Sequence, residues 1–173
     1  MASLEFSDAG SLAVAFGLPE MFNVDELVSL VSVKRGQNDP QDVKLVQILL
    51  RFIYFGSAGG FSKPSQQRPN ELLDDANLEP DGRCGRTTDR FIKAFQVDRN
   101  SRRFLSSPSN SLKIDRIVNP VPLPTITSRS GQFFTMFALN LVCKRRDPFG
   151  YQKLLDLGVD ALAAFLINNR LGE

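Results

Sequence analysis

Apolar residues recur every three or four positions in several stretches of this chain, the spacing that gives an α-helix one buried face. The clearest stretch covers residues 40–55, where the inward positions are Val43, Val46, Leu49, Leu50 and Ile53. Asp39 is a good N-cap, and Pro40 suits the first helical position because its missing N–H would be unpaired there. We therefore predict a helix to about Phe55, whose outer face carries Lys44, Gln47 and Arg51.

A second helix is predicted directly after a polar turn at residues 81–85. Asp-Gly favours a tight turn, because Asp bonds its own backbone and Gly accepts positive φ. Thr87 or Thr88 can cap a helix that runs to about Val97. One face of this helix is then formed by Thr88, Ile92 and Phe95.

Two further helices are predicted near the C-terminus. The first is capped by Ser128 or Ser130, is apolar almost all round and ends at Lys144-Arg145-Arg146; such a helix is normally buried on several sides. The second is capped by Asp147, and its inward stripe is Leu155, Val159, Leu162 and Leu166. Polar loops are expected at 56–80 and 98–110, and Arg99, Arg102 and Arg103 of the latter are interpreted as a solvated surface.

The N-terminal part is predicted to be helical as well. Asn23 to Glu26 has the spacing of a capping box, and the apolar positions that follow it are Val24, Leu27, Val28 and Val31. The predicted fold class is therefore all-α. We divide the chain into an N-terminal helical extension at 1–31, a central domain at 32–143 and a C-terminal amphipathic helix at 144–173.

Composition and charge limit the classes of function that the chain can have. The chain has 173 residues, with 42% hydrophobic residues and a net charge of +2, which is globular and too balanced to argue for nucleic acid. No apolar run is long enough to span a bilayer. The N-terminus lacks the basic residues of a secretion signal, so we expect synthesis in the cytoplasm. Cys84 and Cys143 are expected to be free thiols, with one disulfide between them as the alternative.

The sequence contains no histidine, which removes several catalytic classes. Ser-His-Asp triads, Cys-His pairs and His-ligated zinc all require an imidazole. A glycosidase needs only carboxylates, and the acids considered for that role are Glu20, Glu26, Glu71 and Asp75. None lies in a recognisable catalytic setting. We therefore predict no catalytic residue, no metal and no cofactor.

Two segments resemble the bacterial peptidoglycan-binding-like domain family. The pattern Asp-Gly-x-x-Gly-x-x-Thr begins at Asp81 and continues to Phe95-Gln96, as in the family signature. Residues 38–50 are similar to the family's opening helix, and 114–120 resemble a worn second copy of the turn. The chain has Arg86 where the family usually has Pro, and Asp115-Arg116 where Asp-Gly is expected.

This resemblance implies a three-helix bundle, here with additional terminal helices and long loops, that binds the cell wall without catalysis. The ligand-binding residues that it implies are Asp81, Gly82, Arg83, Gly85, Arg86 and Thr88. Main-chain N–H groups at a helix start bind carboxylates, and Arg83 and Arg86 can pair with a stem-peptide carboxylate. The alternative interpretation is that these residues only build the turn and cap the helix.

Three functions are therefore open. The first is a non-catalytic peptidoglycan-binding module that targets a phage or secretion-type assembly to the wall. The second is a structural or adaptor subunit that uses the bundle for protein–protein contacts, with oligomers formed through the terminal helices. The third and least favoured is a carboxylate-based wall hydrolase. The expected partner is a peptidoglycan fragment or a protein, and delivery to the periplasm or wall would need a specialised system.

Overall fold

The structure is a computed structural model that describes residues 2–5, 25–28, 36, 39–55, 78–101, 111–119, 129–132, 134–146 and 148–168. Within these ranges the elements are β1 Ala2–Glu5, β2 Asp25–Val28, α1 Pro40–Phe55, α2 Arg86–Ser101, α3 Thr135–Arg146 and α4 Pro148–Asn168. The described fold is mostly helical, which agrees with the predicted all-α class. The three-helix arrangement of peptidoglycan-binding-like domains stays a prediction.

Helix α1 has the predicted bounds because its N-terminal cap forms as expected. The Asp39 Oδ1 atom accepts a hydrogen bond from the Gln41 backbone N–H at 2.8 Å. All five predicted inward residues of α1 are buried. The prediction for Gln47 was wrong: its side chain is 1% exposed and does not lie on an outer face. A polar side chain can be buried there because its amide finds partners inside the fold.

Helix α2 begins earlier than the predicted threonine caps. The Asp89 N–H donates to the Gly85 carbonyl at 3.0 Å, so Gly85 occupies the N-cap position. Thr87 and Thr88 are therefore already helical, and Thr88 is buried. The helix also continues to Ser101, beyond the predicted end near residue 97.

Helix α3 is buried on several sides, as its apolar sequence predicted. Every residue from Thr135 to Cys143 is buried. The predicted serine caps are wrong, because the first helical bond joins the Ala138 N–H to the Phe134 carbonyl at 3.2 Å. Asn140 is one of the buried polar residues of α3, and its Oδ1 atom accepts a hydrogen bond from the Tyr151 hydroxyl of α4 at 2.9 Å.

Helix α4 packs against α1 and α3 and bends at Gly158, which has φ 77° and ψ 171°. The sequence pattern did not predict this bend. Val159, Leu162 and Leu166 are buried as predicted, whereas Leu155 is only partly buried. The predicted cap Asp147 lies outside the described residues. The buried residues of all four helices form one hydrophobic cluster.

Strands β1 and β2 pair antiparallel, with Ala2 opposite Val28 and Glu5 opposite Asp25. The predicted helix is therefore wrong at 25–28. A short apolar pattern cannot separate the two structures, and Val fits a strand well. The rest of 1–31, residues 56–77 of the first predicted loop and residues 102–110 of the second lie outside the described residues. Among the described helices, none is long and apolar enough to cross a membrane.

Candidate functional site

Gln47 joins α1 to the polar turn that begins at Asp81. Its Nε2 group lies 2.9 Å from Asp81 Oδ1, 3.1 Å from the Arg83 carbonyl and 3.1 Å from Thr88 Oγ1. Its Oε1 atom accepts a hydrogen bond from the Gly82 N–H at 3.0 Å. One buried amide therefore holds together the helix before the turn, the turn itself and the helix after it.

The turn at residues 81–85, here named the Asp81 turn, has the predicted tight geometry. Asp81 Oδ1 accepts a hydrogen bond from the Arg83 N–H at 2.8 Å, which is a local Asx turn. Gly82 has φ 79°, and a Cβ added there would lie 3.1 Å from the Pro40 carbonyl oxygen. Both the backbone conformation and the close approach of α1 therefore favour glycine at this position.

A cleft of about 370 Å³ lies beside the Asp81 turn, and we name it the Asp81 cleft. It is lined by Gln47, Leu78, Glu79, Asp81, Arg83, Gly85, Arg86, Thr87 and Thr88. Its volume falls within the range of small-molecule sites. Five of the six predicted site residues line it, and Gly82, the sixth, is a buried residue of the turn that lies against α1.

The lining of the Asp81 cleft combines both signs of charge. Asp81, Arg83 and Arg86 are exposed, and Glu79 is half-buried. Helix α2 begins at Arg86, so its positive N-terminal end also lies at the cleft. Guanidinium groups next to a helix N-terminus suit a carboxylate ligand, which can accept two parallel hydrogen bonds from one arginine.

Cys84 lies within the turn but is not a reactive group. Burial, followed by the negative charges of Asp89 and Asp81, raises the pKa of its thiol to about 11. The thiol is therefore protonated at neutral pH, and only the thiolate is a strong nucleophile. Neither Cys84 nor Cys143 forms a disulfide, as predicted, and both are buried.

The sequence analysis missed four residues of the cleft, namely Gln47, Leu78, Glu79 and Thr87. Gln47 was missed because helical periodicity places polar residues outside. The signal that could have found it is the pairing of an apolar residue with glutamine, which occurs at Val46-Gln47 and again at Phe95-Gln96. Leu78 and Glu79 precede the turn in a segment interpreted only as a loop.

The second turn, at residues 115–119 and here named the Asp115 turn, has the same bonding pattern. Gln96 Nε2 lies 3.3 Å from Asp115 Oδ1, 3.0 Å from the Ile117 carbonyl and 3.1 Å from Thr135 Oγ1. Its Oε1 atom accepts a hydrogen bond from the Arg116 N–H at 2.9 Å. The predicted worn copy of the turn is therefore a real structural copy.

The prediction that Arg99 belongs to a solvated surface was wrong. Arg99 is buried, and its guanidinium carbon lies 5.8 Å from the centre of the Phe95 ring. Arg102 and Arg103 lie outside the described residues. Among the residues that the structure describes, no group of three or more His, Cys, Asp or Glu side chains is placed to hold a metal ion.

Comparison with known proteins gives no match. No protein-family model matches the chain, and neither a curated protein nor a solved structure matches it significantly. The resemblance to peptidoglycan-binding-like domains therefore rests on the motif residues alone. The Asp81 cleft is the basis for the function proposed below.

Proposed function

We propose that this chain is a non-catalytic module that binds peptidoglycan at the Asp81 cleft. The observation that carries the proposal is the convergence of the motif residues on one cleft, with Arg83 and Arg86 exposed in its lining. The stem peptides of peptidoglycan offer carboxylates, which are the natural partners of these two side chains.

The remaining motif residues support the turn and do not need to touch the ligand. Asp81 uses its Oδ1 atom to accept from Gln47 and from the Arg83 N–H, and Thr88 is bonded to the same glutamine. Gly82 is buried beneath α1. In this proposal Arg83 and Arg86 bind the ligand, and the other predicted residues form the scaffold of the turn.

Retention on purified peptidoglycan sacculi tests this proposal. Arg83→Ala/Arg86→Ala removes two guanidinium groups, and we expect its affinity to fall by about tenfold or more. Lys113→Ala/Arg129→Ala is the matched control, because it removes the same charge from exposed residues that do not line the cleft. The proposal fails if the parent protein is not retained, or if the control loses as much binding as the cleft variant.

A second candidate function is a structural or adaptor subunit of a phage-tail-like or secretion machine. The observation that favours it is exposed apolar surface on α4, where Phe149 is 77% exposed and Leu157 is 52% exposed. Size-exclusion chromatography with light scattering, together with a native pull-down, tests this candidate. A monomer without a co-purifying partner would count against it.

A further inference from the structure

The two turns belong to a duplicated helix–turn unit. Gln47 and Gln96 make equivalent bonds to the Asp81 and Asp115 turns, as described above. A second pair of contacts repeats as well: Arg51 Nη1 donates to the Leu78 carbonyl at 3.3 Å, and Asn100 Nδ2 donates to the Leu112 carbonyl at 2.9 Å. In each copy, the donor lies one helical turn after the glutamine and its acceptor lies three residues before the aspartate.

The two copies differ at the residues that would meet a ligand. Arg83 of the Asp81 turn corresponds to Ile117 of the Asp115 turn, so the second copy lacks this cation. Gly82 corresponds to Arg116, which keeps the same left-handed backbone with φ 61°. Among the described residues, Arg116 is the only non-glycine residue with positive φ. Such a conformation is disfavoured for arginine and needs a compensating contact.

The Arg116 side chain supplies that contact. Its Nη1 atom lies 2.8 Å from Asp89 Oδ2 in an ion pair. Asp89 is 7% exposed, lies in the first turn of α2 and directly follows Thr88. A buried carboxylate that loses its partner is strongly destabilised, so the ion pair favours the conformation in which Arg116 reaches across to α2.

We propose that Arg116 is a positioning residue for the Asp81 cleft, which it supports from the second copy of the turn through its ion pair with Asp89. The inference rests on the proposed function of the cleft. Arg116 holds the beginning of α2, whose residues Arg86 to Thr88 line the cleft. It also neutralises a carboxylate that would otherwise repel an anionic ligand. The Asp115 turn thus supports the Asp81 cleft through the Arg116–Asp89 ion pair, which we name the clamp. The Asp81 turn carries the two proposed ligand-binding arginines.

Amide NMR spectra and sacculus retention of four single variants and one double variant test this role of Arg116. Arg116→Gly keeps the left-handed backbone and removes the ion pair, whereas Arg116→Lys keeps a cation that can reach Asp89. Lys113→Ala is the control, because it removes an exposed lysine from its ion pair with Asp115 in the same region. Asp89→Asn removes the other partner without changing the size of the side chain.

For Arg116→Gly we expect displaced amide signals at Gly82, Arg83 and Thr88 and hydrogen exchange of the Gly82 amide about fivefold faster. Retention on sacculi should fall about threefold or more, while Arg116→Lys restores both readouts. Lys113→Ala should change neither. In the Asp89→Asn background, Arg116→Gly should have no further effect on the Asp81 turn, because the ion pair is already absent.

The clamp is refuted if the signals that move in Arg116→Gly are confined to residues 111–119, or if Lys113→Ala moves the Asp81 turn equally. If Arg116→Gly does not fold, displaced Asp81-turn signals in Asp89→Asn support the clamp, and unchanged signals refute it. Failure of the parent protein to bind sacculi overturns the proposed wall binding and the ligand-positioning role. The NMR result still decides whether the two turns are coupled, so the two failures are distinguishable.

Discussion

Replacing Gln47 by glutamate tests whether its buried amide holds the Asp81 turn. The change preserves the size of the side chain but exchanges the Nε2 donor for an oxygen. That oxygen would face Asp81 Oδ1, the Arg83 carbonyl and Thr88 Oγ1, which lie 2.9 to 3.1 Å from the present Nε2. Favourable hydrogen bonds thereby become contacts between a buried charge and electronegative atoms.

The expected loss of unfolding free energy follows from these contacts. Each lost hydrogen bond costs about 1 kcal/mol, and an uncompensated buried charge raises the total to about 3–5 kcal/mol. Domains are stable by only about 5–15 kcal/mol, so this is a large fraction. The melting temperature should fall by roughly 6–20 °C for a chain of this length.

Urea or thermal denaturation followed by circular dichroism measures the effect. Gln152→Glu is the matched control, because Gln152 Nε2 donates to Asp156 Oδ1 at a similar distance of 2.8 Å on the exposed surface of α4. Gln152→Glu should lower the unfolding free energy by less than about 0.5 kcal/mol. Acid should partly rescue Gln47→Glu, because a protonated carboxyl can donate again. A Gln47→Glu loss no larger than the control, with no rescue at low pH, would refute the reasoning.

Two further predictions concern the same turn. Gly82→Ala should lower the unfolding free energy in urea by about 2–3 kcal/mol, because of the left-handed φ and the crowding against Pro40. Gly85→Ala should lower it by less than about 1 kcal/mol, because a Cβ there meets open space. Equal losses would contradict this account. Burial raises the pKa of the Cys84 thiol from 9.0 to about 11. The protonated thiol therefore contributes its full share of the unfolding free energy below pH 9, and this share is lost as the pH rises to about 11. The loss should reach about 1–2 kcal/mol, because solvent screening weakens the effect of the shift, and it should be absent in Cys84→Ala. An identical pH slope in that variant would show that another group titrates.

The parts of the fold that the sequence predicted well depend on local chemistry. The bounds of α1 follow from the Asp39 cap and from Pro40, and the tight Asp81 turn follows from Asp-Gly. The site residues could be found because the motif places them next to one another in the chain, so the turn geometry alone brings most of them to one cleft.

The parts that it did not predict depend on contacts between distant segments. Gln47 is buried only because the Asp81 turn, far along the chain, supplies its partners. Asp89 meets Arg116 only once the second turn lies against α2. The spacing of apolar residues gives no sign of the bend at Gly158, because a single glycine in a helical pattern can equally continue the helix.

Lys44 of α1 contacts both the Asp81 turn and α4, so a shorter fragment of the chain would lose part of the structure around the turn. Its Nζ atom binds Asp160 of α4 at 2.7 Å, while its Cε atom lies 3.4 Å from the place where a Cβ of residue 82 would stand. Cutting the chain at residue 143 would remove the partner of this lysine and uncover the apolar side of α1 on which α4 packs. A fragment that keeps the Asp81 cleft intact must therefore include α4, although the motif ends well before it.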